Sequence, residues 1–358
     1  MLGKLKLPID RTSLFSGFSI ASIVLGLTIA PSISAETAST PKPKSFLEWC
    51  VDRANLSPET QQTIDVIFQK FETDDCDRAN SILAEITELN LSARSLSDIR
   101  PLASLTHLKR LDLSNNQIED ITPIENLTNL THLLLANNQI EDITPISAPN
   151  SIKLNLDNNQ VSDLTPLNTL TELKTLFLNH NQVSDLTPLN ALVKMTTLFM
   201  NDNHISSLQP LNSMVELRTL SLMNNRIQEI APLASMTQMY ELHLDENEIS
   251  DLNPLSSMAI LNELYLNGNE IRDIRPLASL QTVTELYIRD NQIEDLTPLP
   301  EMLKLNWADF KNNQIEDLEP ISPIETLVGI VLAGNPVATD RENPTCPIVP
   351  ESVCRFQE

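Results

Sequence analysis

One sentence of 22 residues, written over and over, decides what this chain can fold into. LDLSNNQIEDITPI begins at Leu111 and returns at Leu133 as LLLANNQIEDITPI, at Leu176 as LFLNHNQVSDLTPL and at Leu286 as LYIRDNQIEDLTPL. Aligned on their first strand leucine, the units start at Leu89, Leu111, Leu133, Leu154, Leu176, Leu198, Leu220, Leu242, Leu264 and Leu286, then at Ala308 and Ile330. Every spacing is 22 except the 21 between Leu133 and Leu154. One unit this short cannot bury its own apolar face, but a stack of them can. A single solenoid is therefore expected, although 358 residues would allow two or three ordinary domains.

The consensus LxLxxNxIxDLxPLxxLxxL gives each position a physical task. The LxL segment reads as a short strand with alternate residues facing inward, and stacked units make one long parallel sheet. An Asn follows the strand in eleven units, from Asn116 to Asn335; the first unit has Arg94 instead. A buried amide offers two donors and an acceptor and can satisfy turn backbone groups that water cannot reach. Thr-Pro pairs such as Thr122-Pro123 and Thr187-Pro188 read as a cap residue before a short helical turn, with Asp120 and Asp185 accepting backbone N–H bonds beside them. The remaining Leu and Ile positions fill the core from behind.

This phrasing resembles the 22-residue class of leucine-rich repeats, and is most similar to the internalin-type repeats of bacterial surface proteins. A similar repeat occurs in a leucine-rich regulatory subunit of protein phosphatase 1. The resemblance covers about residues 86–338. It implies an α/β fold: a right-handed solenoid with a concave parallel sheet and short helical turns on the convex side.

The ends depart from the pattern. Lys4, Lys6 and Arg11 precede an apolar run from Leu14 to Ala30, and small residues follow to Ala35. Residues 1–35 read as a cleavable export signal, too short and too interrupted for a membrane span. Residues 36–45 read as a flexible lead-in. Residues 46–85 read as a helical cap: Ser57-Pro58 opens one helix with Ile64, Ile67, Phe68 and Phe71 on a face, and Asp74-Asp75 opens a second with Ala79, Ile82, Leu83 and Ile86 inward. Residues 339–358 are Pro-rich and close the other end. An exported chain meets an oxidising compartment, and its four Cys allow three pairings. A solenoid holds its ends apart, which leaves Cys50–Cys76 and Cys346–Cys354 within reach of each other.

Charge narrows the partners. A net −24 repels nucleic-acid phosphates and anionic lipid, so neither is expected, and no membrane insertion is expected once the signal is removed. The acid pairs Glu119-Asp120, Glu141-Asp142, Glu294-Asp295 and Glu316-Asp317 stack in register. Such oxygens suit Ca²⁺, but turn caps beside a solvated face account for them, and no metal or cofactor is expected. His107, His132, His180, His204 and His243 have no triad or metal spacing. With each segment assigned to leader, cap or repeat, no catalytic domain is expected.

Specificity belongs where the repeat varies. The residue between the two strand leucines faces the concave side and reads Asn90, Asp112, Leu134, Asn155, Phe177, Phe199, Ser221, His243, Tyr265, Tyr287, Asp309, Val331. At about 4.8 Å per strand, Phe177 to Tyr287 spans roughly 24 Å. Phe177, Phe199, His243, Tyr265, Tyr287 and Asp309, with Trp307 from the neighbouring column, form the candidate ligand surface. Asn179, Asn201, Asp245, Asn267, Arg289, Lys311, Glu241, Glu263 and Glu285 form its candidate rim. Rows of Tyr and Trp serve as interface anchors; β-propensity alone also favours such residues on a strand. A macromolecular partner, above all a protein, is expected, with peptides and glycans as alternatives, against a purely structural envelope role or inhibition of another exported protein. The short unit, with Pro149 where a back-face Leu belongs, is either a local kink or a tolerated deletion.

Overall fold

A computed structural model describes residues 43–339 and 344–357; the expected export signal and most of the expected lead-in lie outside the described residues. The chain begins with three helices, α1 (Phe46–Val51), α2 (Pro58–Phe71) and α3 (Cys76–Glu85). The sheet then runs through β1 (Glu88–Asn90), β2 (Arg110–Asp112), β3 (His132–Leu134), β4 (Lys153–Asn155), β5 (Thr175–Phe177), β6 (Thr197–Phe199), β7 (Thr219–Ser221), β8 (Glu241–His243), β9 (Glu263–Tyr265), β10 (Glu285–Tyr287), β11 (Trp307–Asp309) and β12 (Gly329–Val331). The strands are hydrogen-bonded in chain order, each parallel to the next, in one open sheet that forms the concave face of a right-handed solenoid.

The core explains why three-residue strands suffice. Each central residue, such as Leu176, Leu198, Leu220 and Leu242, is fully buried, as are the Leu, Ile or Val that follow the turn and line the back. Complete burial of one such side chain contributes about 1.5–3 kcal/mol, and each unit supplies several.

The turn Asn does what an amide in that place can do. In Asn225, Nδ2 donates to the carbonyls of Met200, Leu222 and Met223, and Oδ1 accepts the Ile205 N–H at 3.0 Å. One side chain thus ties its own turn to the preceding unit. The same pattern runs from Asn116 to Asn335. In the first unit, where Arg94 replaces the Asn, Gln62 of α2 donates to the Arg94 and Ser95 carbonyls at 2.9 and 3.1 Å. The helical cap thus bonds to the first turn, at carbonyls other than those a ladder Asn serves.

Just before this Asn the backbone turns left-handed once per unit, at residues including Asn115, Asn137, Asn158, His180, Asp202, Asn224, Gly268, Asp290 and Asn312. Asn, Asp and His tolerate that region better than other side chains. This explains how so regular a set of turns is built with 6 Gly in the whole chain.

Two expectations need correction. Thr is not the cap of the convex turns: Thr122 and Thr187 are the first residues of 3₁₀ turns whose N-cap side chains make no capping bond. The preceding Asp does the capping, with Asp120 and Asp185 each accepting the Thr N–H at 2.8 Å. Each Thr lies inside its turn, one residue past the N-cap, which is Ile121 or Leu186. In the short unit, Ala148, not Pro149, takes the back-face place, and Pro149 is exposed. The lost residue is absorbed in the back loop, which has no 3₁₀ turn there, while Leu133 stays paired with Leu154 and the strand register is kept.

The caps are close to expectation. Ser57 caps α2, and Ile64, Ile67, Ala79 and Leu83 are buried, with Phe68, Phe71, Ile82 and Ile86 half-buried. The short α1 was legible only in the capping box Ser45–Glu48. Cys50 is bonded to Cys76 and Cys346 to Cys354. The C-terminal segment adds a further parallel strand, β13 (Cys354–Arg355), and Leu332 donates its N–H to the Arg355 carbonyl at 2.8 Å.

Candidate functional site

The sheet register decides which concave side chains meet. Phe177 pairs with Phe199, His243 with Tyr265 and Tyr265 with Tyr287 across neighbouring strands. The rings respond by stacking: centroids are 5.3 Å apart for Phe177–Phe199, 4.1 Å for His243–Tyr265 and 4.6 Å for Tyr265–Tyr287. The expected column is therefore two stacks, a Phe pair and a His-Tyr-Tyr triple. Ser221, 1% exposed, separates them and donates its hydroxyl to Asn201 Oδ1.

Stacking changes what the rings can offer. Tyr265 lies between His243 and Tyr287, and Lys153 Nζ sits 5.1 Å from the Phe177 ring centre. Tyr265 thus has a ring neighbour on each side, and Phe177 a ring on one side and a cation near the other.

The polar tips are anchored too. Tyr265 donates to Glu263 at 3.0 Å, Tyr287 donates to Glu285 at 2.8 Å, and His243 Nε2 lies 2.7 Å from Glu241. The triplets ELH, ELY and ELY that encode this are visible in the sequence, though as a rim rather than as ring supports. Burial, then the Glu285 bond and the neighbouring carboxylates, push the Tyr287 phenol up to about 12, and the same causes raise Tyr265 further. In an alkaline titration followed by phenolate absorbance, Tyr287 is expected to ionise only near pH 12. Ionisation at the ordinary tyrosine value of about 10 would contradict the Glu-anchored arrangement.

The rest of the expected rim has structural duties. Asn179 Oδ1 accepts the Asn201 N–H and Asn201 Oδ1 accepts the Met223 N–H, each at 2.8 Å; Asp245 accepts the Asn267 N–H and Asn267 the Arg289 N–H, each at 3.0 Å. Asp245 is buried, and that burial pushes its carboxyl up. Arg289 stays exposed, 3.6 Å from Asp290. Asp309 accepts the Lys311 N–H at 3.0 Å. Trp307 joins the C-terminal cap rather than the column. Its ring fills the space that the missing side chain of Gly329 leaves on the next strand, and the Arg355 guanidinium lies 4.5 Å from the ring centre.

The acid pairs sit on the turn beyond the strands. Asp142 and Asp295 accept the N–H of Thr144 and Thr297 at 2.8 Å, and Asp317 that of Glu319 at 3.0 Å. Hydrogen bonds from the following Thr, side chain first and then N–H, hold Asp142 and Asp185 below their ordinary value. Among the described residues no group of three or more His, Cys, Asp or Glu is placed to hold a metal ion.

The family described as leucine-rich repeats, in two-copy units, matches residues 85–126, 106–148, 152–191, 171–213, 215–257 and 261–301, more than half of the chain. The chain is a leucine-rich-repeat protein. Its repeats are of the internalin type: a crystal structure of an internalin (inlF) from Listeria monocytogenes is 30% identical, with a TM-score of 0.71 over 79% of this chain and 93% of that one. A leucine-rich-repeat protein of Leptospira interrogans, 20% identical over 78% of this chain and 86% of that one, shares the fold with a TM-score of 0.56. So does a chain, 22% identical over 76% of this chain and 94% of that one with a TM-score of 0.59, from an octameric complex of Latrophilin 3, Unc5D and FLRT2. A comparison with curated proteins finds no significant match. Leucine-rich-repeat proteins of this kind generally mediate protein–protein binding.

Proposed function

We propose that this leucine-rich-repeat protein is an exported, non-enzymatic recognition module that holds a protein partner on its concave face. The observation that carries this is the pair of aromatic stacks, Phe177–Phe199 and His243–Tyr265–Tyr287, lined up on the concave face of the sheet. Half-buried rings aligned by the sheet lose little entropy on binding, which suits them as anchors. Protein is favoured over glycan because a sugar stacks on open ring faces, and those of Tyr265 and Phe177 have neighbours within the chain. Two disulfides and the likeness to an internalin support export. Among the described residues no helix is long and apolar enough to cross a membrane.

The test is affinity capture from the native envelope and secreted fractions, run beside a variant with Phe177, Phe199, Tyr265 and Tyr287 changed to Ser. A partner held by the natural protein and lost by an equally folded variant is expected. A partner held equally by both would place recognition elsewhere.

A further inference from the structure

The first strand column, beside the rings, is ordered by charge. It reads Arg110, His132, Lys153 on β2–β4, then Thr175, Thr197, Thr219 on β5–β7, then Glu241, Glu263, Glu285 on β8–β10, each residue paired in register with the next. Lys109 and Lys174 lie exposed just before their strands and extend the basic end. A protein of net charge −24 thus gathers bases on one stretch of its concave face.

The acidic end carries an internal cost. Like charges directly opposite on neighbouring strands destabilise a sheet. Among the described residues no Lys or Arg lies in ion-pair range of Glu241, Glu263 or Glu285, and no carboxylate in ion-pair range of Arg110 or Lys153. Tyr265 and Tyr287 donate to two of these carboxylates without neutralising them, and His243 is hydrogen-bonded to the third. Of the acids nearest the basic row, Asp112 accepts from the Ser114 N–H and Asn90, and Glu88 faces Arg110 from β1. His132, between two bases, is held below its ordinary value by burial first and then by Arg110 and Lys153. The glutamate row thus violates a local rule with no Lys or Arg to relieve it, and such a row is expected where function places it.

Building on the concave-face reading above, we infer that the partner presents a charge-polarised segment: acidic groups over Arg110 and Lys153, apolar residues over Phe177 and Phe199, basic groups over Glu241, Glu263 and Glu285. From Lys153 to Glu241 is four strand steps, about 19 Å, which an extended segment covers in about six residues. The polarity fixes which end of the segment lies at which end of the solenoid. Charge complementarity of this kind sets orientation and association rate more than affinity.

The test uses fluorescent synthetic peptides that share an apolar centre of about six residues and differ only in their terminal charges: acid–base, acid–acid, base–base and neutral. Anisotropy against the disulfide-bonded protein should rank the acid–base peptide tightest, by about tenfold over the same-charge peptides, with the difference shrinking as salt is raised. The triple variant Glu241→Gln, Glu263→Gln, Glu285→Gln should stop discriminating against the acid–acid peptide. The variant Arg110→Gln, Lys153→Gln should stop discriminating against the base–base peptide. Equal binding of all four peptides, or binding of none, overturns the assignment. Salt-sensitive self-association of the protein alone overturns it too, by placing a second copy on this face. Should all four bind equally to the natural protein and be lost by the four-ring variant, the concave recognition reading stands and only the polarity falls. Undiminished binding to the four-ring variant would remove that reading as well.

Discussion

Asn225→Ala is expected to lose about 2–3 kcal/mol of stability, a large effect for a single polar substitution. The truncation removes no apolar packing. It strands the Ile205 N–H and takes one of two amide donors from the carbonyls of Met200 and Leu222, which keep Asn203 and Asn247. Each buried group left unpaired costs about 1–3 kcal/mol. Urea denaturation should show the midpoint fall. Because solenoid stability is a sum of units and their interfaces, the transition should also broaden or split at the weakened junction. The adjacent Asn224→Gly provides the contrast: its backbone is left-handed at φ 52°, where Gly is at ease, and little change is expected. A mild effect of Asn225→Ala would show that water replaces the amide in the turn and that the ladder is not the structural tie described here.

The second large effect concerns the N-terminal cap. Replacing Cys50 and Cys76 together by Ser is expected to lower stability by about 3 kcal/mol, since this bond closes the longer loop, 26 residues against 8 for Cys346–Cys354. Chain entropy makes the C-terminal bond worth about 1 kcal/mol less. The larger loss should also propagate. Gln62 of α2 bonds to the carbonyls of the first turn, so a loosened cap exposes the end of the stack. Thermal melting of the two double-Ser variants should rank them in this order, and the reverse ranking would mean that the helical cap is held by packing alone.

The scaffold was legible because repetition amplifies weak signals. A single LxL or a single Asn says little, but the same residue at the same place in eleven units leaves the ladder as the natural reading. The left-handed residue was equally available, in the Asn, Asp, His or Gly before nearly every ladder Asn. It was hidden only because that position tolerates several residue types. Thr and Asp compete for the same capping task two residues apart, and sequence spacing alone does not choose between them. Ala148 could not be told from Pro149 without knowing on which side of the loop the residue was lost. The candidate site was legible in its membership but not in its form. Period-two alternation places Phe177, Phe199, His243, Tyr265 and Tyr287 in one column. Whether such rings stand apart or stack depends on side-chain torsions and on the glutamates that hold their tips. The rim was over-read for a related reason: Asn179, Asn201, Asp245 and Asn267 look like surface polar residues, yet each spends an oxygen on the backbone of the next unit.

The central claim is that the repeated positions hold the fold and the concave rings hold the partner. Its most direct test is one paired measurement on the four-ring Ser variant: affinity for the captured partner by calorimetry, and melting temperature on the same sample. The account predicts an affinity loss of at least about a hundredfold, since anchor residues cost roughly 2 kcal/mol or more each when removed, with a comparatively small shift in melting temperature. A variant that melts far earlier, or one that binds as tightly as the natural protein, would contradict it.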